Sequence, residues 1–420
     1  MPCLTFERRM PVQPLFVALA AAVACGLARA DEPSPYFIGV TQALTHDSNI
    51  NRIPNGTSDN YSSTGIVAGL DQRIGRQRVY ASAGLQFNKY QDQDRLDNTS
   101  YNVSGGWDFN TIERFSGGLS LSATQNLAST SNSNTLAPTT DRNIAQTEQF
   151  GARIGWGGDA ALTLNSSYAH SRVHYSTPAY ATSESSQDSV SAGANYRVGA
   201  TLGVGAALRL ARSVAPKGIQ VAPGVFAENT ANSRNIDFLV DWRPTAQTTL
   251  GGRLSLTRQT NSGVSGRDFS GLTGALNASY TPTAKLSFNA ALSRDAGANS
   301  AFFNLTNATN GTTSTVLSES SQVSNNVALG AVYAATAKIN VNAGANWRRT
   351  ELVDSLAGGS VDRTDDVKSV SLGANYAITR AWSVACNISH EQRDVSGNAA
   401  VAGFAYTANV VGCTTQFTLR

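Results

Sequence analysis

The sequence predicts an all-β chain: a transmembrane antiparallel up-and-down β-barrel of about 18 strands, following a cleaved signal peptide. Three observations predict it. Charged residues make up only 15% of the chain, where about 25% is usual in soluble proteins. Mean hydropathy is nevertheless −0.20, and no stretch beyond the leader reaches the roughly 20 apolar residues of a membrane helix. From residue 36 onward, apolar and polar residues alternate with period two, which hides a membrane-facing surface inside an unremarkable average.

Residues 1–30 read as a signal peptide. Arg8 and Arg9 supply the basic start, Leu15 to Gly26 the apolar segment, and Ala28-Arg29-Ala30 the small-residue cleavage site. A lipoprotein cut at Cys25 ranks lower, because Ala22 stands where leucine is usual. Residues 31–420 form the barrel domain, and the few residues before its first strand leave no room for an N-terminal plug. Removing the leader leaves 29 basic and 28 acidic residues. Such a balance gives no electrostatic basis for nucleic-acid binding.

The alternation identifies the strands. Tyr101, Val103, Gly105, Trp107 and Phe109 share one phase, as do Leu202, Val204, Ala206, Leu208 and Leu210. Ile236 to Trp242, Ile339 to Trp347 and Val370 to Ile378 repeat the pattern. The apolar phase carries no charge in these runs, whereas the opposite phase carries Arg78, Asp108, Arg209, Asp237, Asp241, Lys338 and Arg348. Lipid outside and water inside require that sorting. The expected lumen lining is Arg78, Asp108, Arg197, Arg209, Asp237, Asp241, Arg253, Lys285, Lys338 and Arg348.

Connectors alternate in length. Short turns fall near 74–77, 111–114, 157–159, 198–200, 244–247, 281–284, 335–337 and 379–381. Longer polar segments at 47–60, 91–98, 127–143, 175–186, 214–233, 259–267, 296–321, 351–367 and 395–402 read as solvated loops. An even strand count puts both termini on the short-turn, periplasmic side. Aromatic residues precede most short turns: Phe109, Trp156, Tyr196, Trp242, Tyr280, Tyr333 and Tyr376. Rings at that depth match an interfacial belt.

Cys386 and Cys413 lie symmetrically about the last predicted loop. Residues equidistant from a hairpin turn sit opposite each other, so these two are expected to form a cross-strand disulfide on the lipid-facing side. Its role is structural.

Catalytic chemistry finds little support. An acyl hydrolase needs a nucleophile, a base and an orienting group in contact. The adjacent pairs His46-Asp47-Ser48 and His170-Ser171 point to opposite faces of a strand. His170 and His174 share a face as solvated rim residues, and no metal or cofactor motif stands out.

The segment His46-Asp47-Ser48-Asn49-Ile50-Asn51-Arg52, with its D-x-N-x-x-R spacing, and the ending Gly412 to Arg420 resemble a known group. These are the β-barrel porin type 2 proteins, outer-membrane proteins associated with exosortase-linked exopolysaccharide biosynthesis. The resemblance implies a bacterial outer-membrane location and a channel or accessory role in exopolysaccharide export. It also implies outer-membrane lipid, polysaccharide and exopolysaccharide secretion machinery as partners. One departure from barrels in general is the final Arg420 in place of Phe. Two rival readings are a general diffusion porin for small polar solutes and an outer-membrane hydrolase. The porin would fold 296–321 inward through Phe302, Phe303 and Leu305, and the hydrolase would use His170, His174 or His390.

Overall fold

A computed structural model describes residues 34–112, 114–128, 141–222, 225–262, 268–296, 301–306, 313–318, 323–356, 359–397 and 405–420. The expected signal peptide lies outside them. The first half of the wall comprises β1 (Tyr36–Asp47), β2 (Asp59–Ile74), β3 (Gln77–Tyr90), β4 (Asn98–Asn110), β5 (Phe115–Leu127), β6 (Ile144–Trp156), β7 (Leu162–Tyr175), β8 (Ser185–Val198) and β9 (Leu202–Ala222). The chain continues through β10 (Val225–Thr245), β11 (Thr248–Asn261), β12 (Phe269–Thr283), β13 (Leu286–Ala296), β14 (Ala301–Thr306) and β15 (Thr313–Ser318). It ends with β16 (Val323–Ala334), β17 (Ile339–Leu356), β18 (Gly359–Ala377), β19 (Trp382–Gly397) and β20 (Tyr406–Leu419).

Eighteen of these strands form one antiparallel sheet in which each pairs with its sequence neighbour. β13 passes directly to β16, and β20 closes on β1 from Ile38 opposite Leu419 to Asp47 opposite Val410. Closure leaves no sheet edge, which a bilayer requires of any β structure within it. β14 and β15 form a separate two-stranded hairpin, Ala301 opposite Ser318.

The alternation in sequence becomes an inside-out protein. Leu208, Leu210, Ile236, Phe238, Leu254, Leu256 and Leu372 are all exposed, between 46% and 63%. Ser255, Thr257, Thr273 and Asp237, on the opposite phase, are 3% exposed or less. Such an exterior is stable against hydrocarbon and costly against water. All eight expected short turns join consecutive wall strands, as in the two-residue link Gly75-Arg76 between β2 and β3. Gly75 has φ of 61°, which glycine adopts without a Cβ penalty.

Three expected loops differ. Segment 214–233 continues the β9–β10 ladder almost to its tip, and 351–367 does the same for β17–β18. Segment 296–321 contains the β14–β15 hairpin. Beyond a membrane both strand faces meet water, so period two disappears from the hydropathy while backbone pairing persists. The side chains of Phe302, Phe303 and Leu305 lie outside those described.

Candidate functional site: the barrel lumen and its mouth

Inward positions follow from register and burial. Arg78, Asp108, Arg197, Arg209, Asp237, Asp241, Arg253 and Arg348 lie on wall strands in the inward phase. Lys285 and Lys338 stand one residue before β13 and β17, in the short turns, and Lys338 Nζ donates to the Ile378 carbonyl at 3.1 Å.

Near the turns, Arg78 donates from Nε and Nη2 to the two carboxylate oxygens of Asp71, at 2.8 and 2.5 Å. Its guanidinium also stands 5.0 Å from the centre of the Tyr80 ring. Arg153 Nη2 donates to Asp108 Oδ1 at 2.6 Å. Higher in the wall, Arg209 donates to Asp237 at 2.9 and 3.3 Å, and Arg253 to Asp295 at 3.2 Å. Arg209, Asp237, Arg253 and Asp295 therefore run across β9, β10, β11 and β13 with alternating sign. Neutral groups continue the lining: Thr257 Oγ1 donates to Asn235 Oδ1 at 2.7 Å and lies 2.7 Å from Thr273 Oγ1. Between the adjacent strands β18 and β19, Arg393, 2% exposed, makes a bidentate pair with Asp365 at 2.9 and 2.7 Å. Such a forked geometry holds both partners in one orientation.

At the long-loop end, folded connectors pack against one another. Asp47, at the end of β1, accepts the Asn49 N–H at 2.9 Å and Arg52 Nη1 at 2.8 and 2.7 Å. Arg52 also donates to the Asn49 carbonyl, and its Nε lies 3.6 Å from Glu391 on β19. Asn49 Nδ2 reaches the Ile53 and Thr407 carbonyls at 2.8 and 3.1 Å. The D-x-N-x-x-R segment thus folds the first loop back on itself and ties it to the far side of the seam. Burial pulls the Arg52 guanidinium down, but the Asp47 carboxylate and then Glu391 raise it above its ordinary value.

The second loop turns through a short 3-10 segment, Asp94–Leu96, anchored by Asp59 accepting the Asp92 and Gln93 N–H groups at 3.1 and 2.9 Å. The fourth loop turns through Pro178–Ser183. Leu96 and Tyr180 are each 2% exposed, so both connectors pack at the mouth. With Asp47, Arg52, Tyr61 and Tyr90 they line a cavity of 200 Å³.

The expected aromatics also have defined positions. Trp156, Tyr196, Trp242, Tyr280, Tyr333 and Tyr376 are exposed near the short-turn ends of their strands, and Phe109 is half-buried. Cys386 and Cys413 are cross-strand partners joined by a disulfide, with Cα atoms 4.1 Å apart. Both face outward beside Val384, Ile388 and Val411.

The four histidines lie on β1, β7 and β19, each in the part of its strand nearer the long loops. His170 Nδ1 lies 2.8 Å from Asp188, His174 Nδ1 2.5 Å from Glu184, and His390 Nδ1 2.8 Å from Asn409. His46 Nδ1 lies 2.9 Å from Asn60 Oδ1. Two histidines thus have carboxylate partners. Among the described residues no hydroxyl is hydrogen-bonded to their rings, and no group of three or more His, Cys, Asp or Glu is placed to hold a metal.

Sequence reasoning missed Asp71, Arg153, Asp295, Asp365, Arg393 and Glu391 as lumen groups. All lie in the inward phase, and that phase was the available signal.

No protein-family model matches the chain, and no curated protein matches it in sequence. In structure it is similar to the siderophore receptor PirA from Acinetobacter baumannii, at 8% identity and a TM-score of 0.44, over 93% of this chain and 81% of that one. It is also similar to the outer-membrane protein OpdK from Pseudomonas aeruginosa, at 11% identity and a TM-score of 0.44, over 91% of this chain and 98% of that one. OccK5 (OpdH) of the same organism aligns at 9% identity and a TM-score of 0.42, over 92% of this chain and 98% of that one.

Proposed function

We propose that this barrel resides in the bacterial outer membrane and serves as a channel or accessory for exopolysaccharide export. One observation carries the reading. The lumen charges are largely matched within the wall, as in Arg209–Asp237, Arg253–Asp295, Arg393–Asp365, Arg153–Asp108 and Arg78–Asp71. Internal pairing leaves little net field to select ions, while hydroxyl and amide groups between the pairs offer hydrogen bonds. A neutral, heavily hydroxylated polymer suits that lining. The resemblance of the Asp47–Arg52 segment to exopolysaccharide-associated barrels supports the same substrate class. Catalysis forms no part of the proposal.

A general diffusion porin for small polar solutes is favoured by a different observation. The β14–β15 hairpin lies in the longest connector and forms a sheet of its own, outside the ladder of the wall. A connector of that size suits a constriction for small solutes.

Single-channel conductance of the refolded mature chain in a planar bilayer separates the readings. Open steps blocked by exopolysaccharide support the export role. Steps indifferent to polymer and sensitive to small sugars support the porin. Absence of conductance would overturn a passive channel of either kind.

A further inference from the structure

The barrel exterior carries a feature that transport through the lumen does not use. On β9 the outward positions run Val204, Ala206, Leu208, Leu210 and then Arg212. On β10, read from the short turn, they run Trp242, Val240, Phe238, Ile236 and then Arg234. On β11 Leu254 and Leu256 precede Arg258, and on β13 Phe288, Ala290 and Leu292 precede Arg294. In each strand the arginine is the first outward residue beyond the apolar run. The four lie eight to eleven residues from the short-turn ends of their strands. That length is about one hydrocarbon thickness for a tilted strand. From the short turns to this rim, the outward positions of β9 to β13 include no carboxylate.

Arg234 and Arg258 are directly opposite one another across β10 and β11. Like charges in that relation are destabilising. Neither has an ion pair among the described residues, and Arg294 has one hydrogen bond, to Asn325 Oδ1 at 3.2 Å. Arg212 stands opposite Asp188, whose Oδ1 is already hydrogen-bonded by Tyr168 and His170. Directly below Arg294 the exterior is indented by an apolar groove of 770 Å³. Its walls include Phe238, Leu254, Leu276, Leu292 and Trp347, and its floor is opened by the outward glycines Gly252 and Gly274. A Cβ at Gly252 would stand 2.8 Å from Val240 Cγ1, so a side chain there would fill the groove.

We propose that this face binds a phosphorylated, multiply acylated glycolipid in the leaflet on the long-loop side. An acyl chain occupies the groove, and phosphate groups lie on Arg234, Arg258 and Arg294. The pairing of a hydrocarbon slot with unopposed guanidinium groups one membrane thickness from the turns matches that amphiphile in both charge and depth.

The test uses the full mature chain refolded in detergent and native mass spectrometry of bound lipid. The probes are a bisphosphorylated hexa-acyl glucosamine disaccharide, the same lipid without phosphates, and inorganic phosphate alone. The bisphosphorylated lipid is expected to bind at least about tenfold more tightly than its dephosphorylated form. Replacing Arg234, Arg258 and Arg294 together by Gln should remove that preference, and Gly252→Leu should weaken both lipids. Heat-shifted gel mobility confirms that each variant is folded, and Arg380→Gln, in a short turn, serves as the charge control. Equal affinity of the unmodified chain for the two lipids would overturn the proposal without any variant. So would an unchanged preference in the folded triple variant, or full competition by inorganic phosphate, which would show a simple anion site.

Discussion

Arg52 folds back onto Asp47, five positions earlier, with Nη1 2.8 and 2.7 Å from the two carboxylate oxygens, and presents Nε to Glu391 at 3.6 Å. The guanidinium therefore joins the first loop to β19 across the closing seam of the barrel. Because Arg52 has φ of 53°, its backbone conformation depends on these contacts. Arg52→Gln should release residues 48–58 from the mouth, raising mean conductance and making the loop sensitive to limited proteolysis. Unchanged conductance and an uncut loop would show that the neighbouring Asn49–Thr407 bond is sufficient to hold it.

Asp97 predicts a pH response in the second loop. Partial burial pushes its carboxyl up, but the Lys89 ammonium at 2.5 Å and the Tyr90 N–H at 2.9 Å hold it below the usual carboxylate range. A depressed value means the folded loop binds its proton later than the unfolded one. The stabilisation is therefore complete above about pH 4, the ordinary aspartate value, and is lost as pH falls through the lower folded value. Pepsin cleavage near Leu96 should rise as pH falls below about 4. In Lys89→Ala the rise should begin at higher pH, and an identical profile in both chains would remove Asp97 as the cause.

The disulfide between Cys386 and Cys413 spans 27 residues and ties β19 to β20 beside the seam. In the loop-entropy account, a closure of that length stabilises by about 3–4 kcal/mol, less whatever the barrel already restricts. Replacing both cysteines by serine should lower the urea midpoint of the chain refolded into vesicles. The largest effect is expected on β20 and β1, read by hydrogen exchange. A uniform loss of protection around all eighteen strands would instead mean that the hairpin is not a separate unit of stability.

Much of this architecture was legible because lipid imposes a simple rule on each strand. The alternate apolar positions Val204, Leu208 and Leu210, and Ile236, Phe238, Val240 and Trp242, can only face outward, and the short turns between such runs leave little freedom. The Cys386–Cys413 pair followed from symmetry about a turn. What stayed hidden were relationships that require register between distant strands. Arg253 meets Asp295 across the intervening β12, and Arg393 meets Asp365 from β19 to β18. Alternation supplies the face of each residue without its height. The extensions of β9–β10 and β17–β18 were hidden for the opposite reason, since outside the membrane neither face must be apolar. The packing of Leu96 and Tyr180 at the mouth depends on side-chain contacts between loops, which polarity alone does not record.

The alternating row Arg209, Asp237, Arg253 and Asp295 gives the most direct test of how the lumen selects. The Asp237 side chain is 4% exposed and receives both hydrogen bonds from Arg209. Asp237→Asn keeps shape and one acceptor oxygen but leaves the Arg209 charge unopposed. Breaking a buried pair in this way costs about 3–5 kcal/mol where no water enters. In a hydrated lumen the loss should be smaller, because solvent and salt screen the remaining cation. The released charge should then act on permeating ions. Reversal potentials in a potassium chloride gradient should move toward anion preference at low salt, and return toward the unmodified value at 1 M, where the screening length is about 3 Å. Arg209→Gln should move the same measurement toward cations, and the double substitution should restore it. If all three variants keep the original selectivity, ions do not pass this row, and the open path lies elsewhere in the lumen or is closed at this level.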